Sequence, residues 1–509
     1  MGAPLVGNLS TTTGIVKQIV IIGGGISGLA AAHRLIELSK DHKQQIQITV
    51  LEASSRLGGT IQTESRDGFM LERGPDSFIS EKPEALALAR RLGLDSALIE
   101  TNPQHRRSFI VRKGRLRPVP EGFQLLAPSQ LWPFVTSDVF SMAGKVRMAA
   151  DLFLPRKSTN GNIDEPEDES LASFVRRRLG REALERMAQP MVGGIYTADP
   201  EKLSLRATLP RFLEMERDHR SIILGMLRKG RTQAIAERQG TSGARYSLFL
   251  SFDRGMQVLV DGLAGTIAGP QMSHDDAAQT EIRLNTRAEA LVGHSSTADQ
   301  EASWRLTTDC GEMLTADAVC LAVPSFAAAS LLQVTNAQLA DQLRQIKFAS
   351  SATINFAYRR ADIRHPLDGF GFVVPFIEKR SLIACTFSSV KFAGRAPQDH
   401  VLLRAFVGGA LQPEMFALEE TEMLTRVKRD LRDLLGVDKE PVFTEIAKWE
   451  RSMPQYEVGH LGRVKEIENE LQQLPTLALA GNSYRGAGIP DCIRSGEAAA
   501  EQMMGAWTE

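Results

Sequence analysis

Apolar positions along this chain follow two rhythms, one of strands and one of helices. Lys17 to Ile22 is a short apolar run, followed by glycines and then by helical spacing from about Ser27 to Leu38. Ile46 to Glu52 alternates and is rich in β-branched residues, which predicts the next strand. From Pro83 to about Arg228 the period is mostly helical, as in Leu86, Leu88, Ala89 and Leu92, and again from Leu171 to Leu184. Two polar stretches interrupt it: Arg156 to Glu169 predicts a solvated loop, and the basic Lys229 to Arg245 a mobile connection. The second half is mixed. Asp317 to Val323 is a continuous apolar strand ending at Pro324, the pattern of a parallel strand covered on both faces. Ser351 to Tyr358, Phe370 to Pro375 and His400 to Val407 are further strands. Leu424, Val427, Leu431 and Leu434 mark a helix over Glu419 to Leu435. A strand at Thr476 to Ala480, a glycine turn and a helix from Ile493 to Met504 complete an α/β chain with a helical middle and no internal repeat.

Length and composition narrow this only slightly. At 509 residues the chain exceeds one core and suggests two or three domains. A net charge of −1 gives no general attraction to nucleic acid or to an anionic membrane. Cys310, Cys320, Cys385 and Cys492 are scattered without a CxxC pair, against a disulfide framework or a zinc site and in favour of a reducing compartment such as the cytoplasm. No metal is expected. Met1 to Gly14 has neither a basic leader nor an apolar core, so it does not read as a secretory signal. Its Met-Gly start departs from the myristoylation pattern at Val6. The uncharged stretch Gly122 to Ser137 is too proline-broken to span a membrane, and reads either as core or as a membrane-docking face.

The chemistry begins at Gly23-Gly24-Gly25-Ile26-Ser27-Gly28, a GxGxxG placed where a strand feeds a helix. Gly23 permits the tight turn, Gly25 lets a pyrophosphate approach the backbone, and Gly28 allows close helix–strand packing. The helix N-terminus beyond Ile26 and Ser27 offers unpaired N–H groups and a favourable dipole. Glu52 ends the next strand, where a carboxylate can accept from ribose hydroxyls. The continuation Glu52-Ala53-Ser-Ser-Arg56-Leu-Gly58-Gly59-Thr60 resembles the ExxxRxGG signature of amine-oxidase-type flavoproteins and favours FAD over NAD. There Arg56 would charge the pyrophosphate cradle; the alternative, a surface ion-pair residue, is disfavoured by the spacing. A second glycine turn, Gly481 to Gly488, suggests one cofactor domain assembled from both chain ends.

More specific segments follow: Leu71-Glu-Arg-Gly74-Pro75-Asp76-Ser77-Phe78, Pro190 to Pro200 around Tyr196, Met453 to His460, and Gly488-Ile489-Pro-Asp491-Cys492-Ile. Together they resemble the oxygen-dependent porphyrinogen oxidases of haem synthesis over nearly the whole chain. The resemblance implies a Rossmann-like FAD-binding domain (14–82, 246–328 and 443–509), a mixed α/β substrate domain (83–112 and 329–442) and a mainly helical, membrane-associated inserted domain (113–228). It implies hydride transfer from coproporphyrinogen III or protoporphyrinogen IX to FAD, with dioxygen reduced to hydrogen peroxide. No side chain need act as a nucleophile, because the redox chemistry is the cofactor's.

By the same resemblance Glu52, Arg56, Gly59, Gly74, Ala288, Trp449, Gly488 and Ile489 line FAD, with Ala53, Thr60, Pro75 and Asp76 beside them. Leu367 and Phe406 sandwich the tetrapyrrole and Tyr196 joins the pocket, though each also reads as core. Lys82 is placed to pair with a propionate, though it also reads as a solvated lysine. Where plant and mitochondrial relatives set a propionate-binding arginine this chain has Ser108, with Arg106 and Arg107 as substitutes. A ferrochelatase, the next enzyme of the pathway, is the expected partner. The alternatives are an amine oxidase or carotenoid desaturase, or a non-catalytic escort-type protein of the same architecture. Five tyrosines and four tryptophans leave little material for an amine oxidase's aromatic cage.

Overall fold

Strands that are mostly apolar on both faces, with one polar strand at the edge, build the central layer. In the computed structural model, which describes residues 16–157, 168–228, 248–269, 278–294 and 303–508, five parallel strands lie side by side. Their order is Ala278–Arg283, Ile46–Leu51, Lys17–Ile22, Ala318–Leu321 and Leu477–Leu479. Successive side chains point to opposite faces. Ile19 and Ile21 accordingly join one core with the helices Ile26–His42 and Ile489–Thr508. Val20 and Ile22 join another with Trp304, Leu306, Ala328 and Leu339. The two chain ends meet closely: a Cβ on Gly496 would stand 2.1 Å from the Ser27 carbonyl oxygen.

A second, seven-stranded mixed sheet runs in the order Phe443–Gln455, Lys347–Arg359, His400–Gly408, Ala384–Phe387, Gly371–Val373, Phe109–Arg112 and Arg115–Pro118. The helix Glu420–Leu435 seals it with Met423, Val427 and Leu431 against Ile354, Phe356 and Leu403. Three of its strands depart from what the sequence predicts. The hairpin Phe109–Arg112/Arg115–Pro118 falls in the segment of helical period and crosses the boundary set at 112/113. It forms because Lys113 and Gly114 both take positive φ, the geometry of a two-residue hairpin turn. Phe443–Gln455 pairs along Lys347–Arg359 in this sheet rather than in the parallel one.

The third unit is helical, with Phe174, Val175, Met187, Phe212 and Ile223 in its core. Ser170 caps the Leu171–Arg178 helix by accepting from the Ser173 N–H at 3.1 Å. The continuous helix expected from Leu171 to Leu184 is broken at Gly180, whose φ of +95° leaves room for the Arg147 side chain. A π-helical turn at Leu184–Ala188 then leads into Gln189–Tyr196. In the uncharged stretch, Leu126 and Phe134 are buried, whereas Leu131, Trp132 and Val135 face outward. No helix among the described residues is long and apolar enough to cross a membrane. Met1 to Gly14, Lys229 to Arg245 and most of Arg156 to Glu169 lie outside the described residues.

Candidate active site

Two glycine turns face one another at the C-terminal edge of the parallel sheet. Gly23 bends at φ +111°, and a Cβ there would meet the Ala322 carbonyl oxygen at 2.4 Å. Gly28 lies against the same turn, its virtual Cβ 1.9 Å from the Gly23 oxygen. Gly25 is different: the only atom near an added Cβ is the Gly59 Cα, at 4.0 Å. Gly59, at φ +58°, in turn meets only the Gly25 Cα. The turns are tied by the Gly58 N–H donating to the Gly24 carbonyl at 2.9 Å. An open backbone cradle therefore sits at the start of the Ile26–His42 helix, which has no side-chain cap and no acidic residue in its first turn. Its first N–H groups and dipole suit an anion.

Glu52 stands at the rim, accepting from the Gly24 N–H and the Ser54 N–H, each at 2.8 Å. A carboxylate has further lone pairs to offer a ribose. The Arg56 guanidinium bonds the carbonyls of Leu57, Gly59 and Ile61, so it shapes the second turn. Ala53 and Thr60 are exposed beside it, and Ala288, half-buried, begins the Ala288–His294 strand. These residues fit a dinucleotide: space where phosphates need it, donors around that space and an acceptor at the ribose end.

The next segment, Glu72 to Asp76, runs from this cradle across the large sheet. A Cβ on Gly74 would lie 1.7 Å from the Thr60 carbonyl oxygen. The Trp449 indole donates to the Arg73 carbonyl at 2.9 Å. The Asp76 carboxylate is bonded by Lys391 at 3.0 and 3.1 Å and lies 3.7 Å from Arg404. Burial alone would raise its pKa, but Lys391 and Arg404 more than offset that and hold it well below the usual range. Pro75 is half-buried beside it.

The C-terminal glycine turn, Gly481 to Gly488, is held by Tyr456 and His460, which the sequence shows only as members of a motif. The Tyr456 hydroxyl donates to the Asn482 carbonyl and accepts from the Gly486 N–H at 2.9 Å, and its ring stacks on His460 at 4.2 Å. His460 Nε2 donates to the Tyr484 carbonyl at 2.8 Å, and burial lowers the imidazole pKa. Gly488 and the buried Ile489 open the C-terminal helix.

The four substrate positions are placed unequally. Phe406 is half-buried on the sheet face next to the Glu72–Asp76 segment, with the Arg404 guanidinium 4.7 Å from its ring centre. Tyr196 ends its helix with the phenol near the Thr208 carbonyl at 3.3 Å, and burial pushes its pKa up to about 12. Leu367 is buried in the core of the large sheet at φ +54°, an uncommon conformation for a leucine. Lys82 bonds both oxygens of the buried Asp491, at 2.8 and 2.6 Å, so its ammonium already has an anionic partner. Arg107 pairs with Asp368, and Arg106 lies 3.8 Å from Glu100. A cavity of about 330 Å³ lies elsewhere, lined by Lys202, Lys347, Gly409 and Glu457, and includes none of these four positions.

The profile of flavin-containing amine oxidoreductases matches residues 26–504. The chain belongs to that family. FAD is therefore the cofactor of this chain. Among curated members, the Bacillus subtilis coproporphyrinogen III oxidase is 35% identical, covering 96% of this chain and 98% of its own. The chloroplastic protoporphyrinogen oxidase of Nicotiana tabacum is 30% identical, covering 96% and 85%. A solved chain from Exiguobacterium sp. 255-15 superposes with a TM-score of 0.79 at 31% identity, covering 96% and 99%.

Proposed function

We propose that this flavoprotein oxidises a porphyrinogen to the corresponding porphyrin in haem synthesis, with coproporphyrinogen III as the preferred substrate. The observation that carries the reading is the end-to-end match to a coproporphyrinogen III oxidase, stronger than that to the plant protoporphyrinogen oxidase. Bound FAD supplies the redox chemistry, accepting hydride equivalents and returning them to dioxygen as hydrogen peroxide. The protein positions and shields. Gly25 and Gly59 leave the pyrophosphate its space, and Glu52 accepts from the ribose. Trp449 and Arg404 fix the Arg73–Gly74 wall. Phe406 offers an aromatic face to a flat macrocycle.

Porphyrin fluorescence growing in air, with coproporphyrinogen III and protoporphyrinogen IX in separate tubes, tests the reading. Faster turnover of the first supports it, and no turnover of either by yellow protein sinks it. Phe406→Ala is expected to keep its flavin and to raise KM about threefold to tenfold, the loss of one aromatic contact. Unchanged kinetics would return Phe406 to a packing role.

The same reading includes a cytoplasmic protein that touches membrane peripherally. Trp132 is 76% and Phe153 80% exposed on the helical unit, with Met142 and Val146 also facing out, and exposed apolar clusters mark interaction surfaces. Flotation with lipid vesicles tests that face. Co-elution with a ferrochelatase tests the handover of product.

A further inference from the structure

The large sheet presses one row of donors onto the Glu72–Asp76 segment. Asn355 and Arg404 are direct cross-strand partners, as are Thr353 and Phe406 one step along. The Asn355 amide donates to the Glu72 carbonyl at 3.2 Å, and the Thr353 hydroxyl to the Arg73 carbonyl at 2.7 Å. Arg404 Nη2 donates to the Gly74 carbonyl. This face therefore grips three consecutive carbonyls, and Phe406 is the member of the row that stays half open.

Arg404 stands out in the row. Its side chain is only 5% exposed, and its Nε has no hydrogen-bond partner among the described residues. An arginine placed so keeps its charge, because guanidinium does not deprotonate in proteins. Lys391 and the buried Arg395 add two cations close by, facing the carboxylates of Asp76, Glu72 and Asp253. Burial raises the Glu72 carboxyl despite bonds from the Met256 N–H and Thr63.

We propose that Arg404 is a positioning residue for the flavin: it holds the Gly74 carbonyl and the Asp76 carboxylate, sets the wall of the cofactor site, and keeps a buried positive charge behind that wall. The inference rests on the flavin groove running from Gly25 through Thr60 to Gly74. Electrons arriving on the cofactor bring negative charge, so a buried cation nearby favours the reduced form. Because Arg404 and Phe406 stand two residues apart on one face of their strand, that step links the cofactor wall to the face offered to substrate.

The test uses the full chain as wild type, Arg404→Met and Arg404→Lys, each stripped of flavin and titrated with FAD, then poised with redox dyes. Arg404→Met, lacking both fork and charge, is expected to bind FAD about tenfold or more weakly and to show a lower midpoint potential. Arg404→Lys keeps the charge without the planar fork. It is expected to bind FAD weakly while returning the potential towards that of the wild type. An Arg404→Met protein with unchanged FAD affinity and unchanged potential would leave Arg404 as an ion-pair residue of the core and overturn the proposal. Should that variant fail to fold, Arg404→Lys decides, and wild-type affinity in it overturns the proposal equally. A wild type that takes up no FAD would instead overturn the flavin groove beneath it.

Discussion

Gly25→Val should yield a folded, colourless protein, while Gly28→Ala, the smaller change, should barely fold. The contrast follows from what each new side chain meets. At Gly25 an added Cβ has only the Gly59 Cα for a neighbour, at 4.0 Å, so the polypeptide tolerates it. The two methyl groups beyond fill the cradle from which phosphates would take the helix N–H groups, and FAD is excluded. At Gly28 the Cβ would stand 1.9 Å from the Gly23 carbonyl oxygen, a backbone atom of the adjoining turn. Relieving that overlap means parting helix from strand, at a cost of about 3 kcal/mol or more. The absorbance ratio of flavin to protein, read beside the thermal midpoint, separates the outcomes. Gly25→Val with full flavin content would remove the site, and Gly28→Ala with wild-type stability would remove the packing argument.

Those two glycines were readable because GxGxxG couples a local conformation to a long-range packing need. The parallel strands were readable for a related reason. Lys17–Ile22 and Ala318–Leu321 are covered on both faces, so they appear as unbroken apolar runs. Phe443–Gln455 was hidden by its place at the edge of the large sheet. One side is open to solvent and admits Lys448, Glu450 and Arg451, and Pro454 lies within it, so its pattern matches no strand template. The Phe109–Pro118 hairpin was hidden by its arginines and by a Lys-Gly turn in place of Asn-Gly.

The site divides along the same line. Contacts made by backbone shape, at Gly25, Gly59 and Gly74, left a sequence signal. Contacts between distant side chains left none: Lys82 finds Asp491 across 409 positions, and no local pattern announces it. Arg404 did leave a trace, a charged residue in the middle of the apolar run His400–Gly408. A buried charge in a core strand requires a partner, and searching for one would have led to Asp76.

Asp151→Ala should cost the helical unit about 3–5 kcal/mol, the loss expected when one member of a buried ion pair is removed. Arg178 is fully buried, and Asp151 accepts from its Nε at 2.6 Å. The same carboxylate accepts from the Ser221 hydroxyl at 2.6 Å and the Ile223 N–H at 3.1 Å. The rest of the guanidinium bonds the carbonyls of Asp151, Pro155 and Arg220. Alanine would leave the buried guanidinium with only Glu216, 3.6 Å from its Nη1, as an anionic partner, and would leave two donors unpaired in a dry core. A double replacement, Asp151→Leu with Arg178→Met, removes both charges together and should recover much of the loss, because the desolvation cost disappears with the pair. Urea unfolding followed by far-ultraviolet dichroism and by flavin absorbance reads the helical unit and the cofactor unit side by side. The single variant should melt the helices first while the flavin signal persists. A single variant as stable as the wild type would mean that water reaches Asp151. An unrecovered double variant would mean that the three carbonyls, rather than the charge, need Arg178.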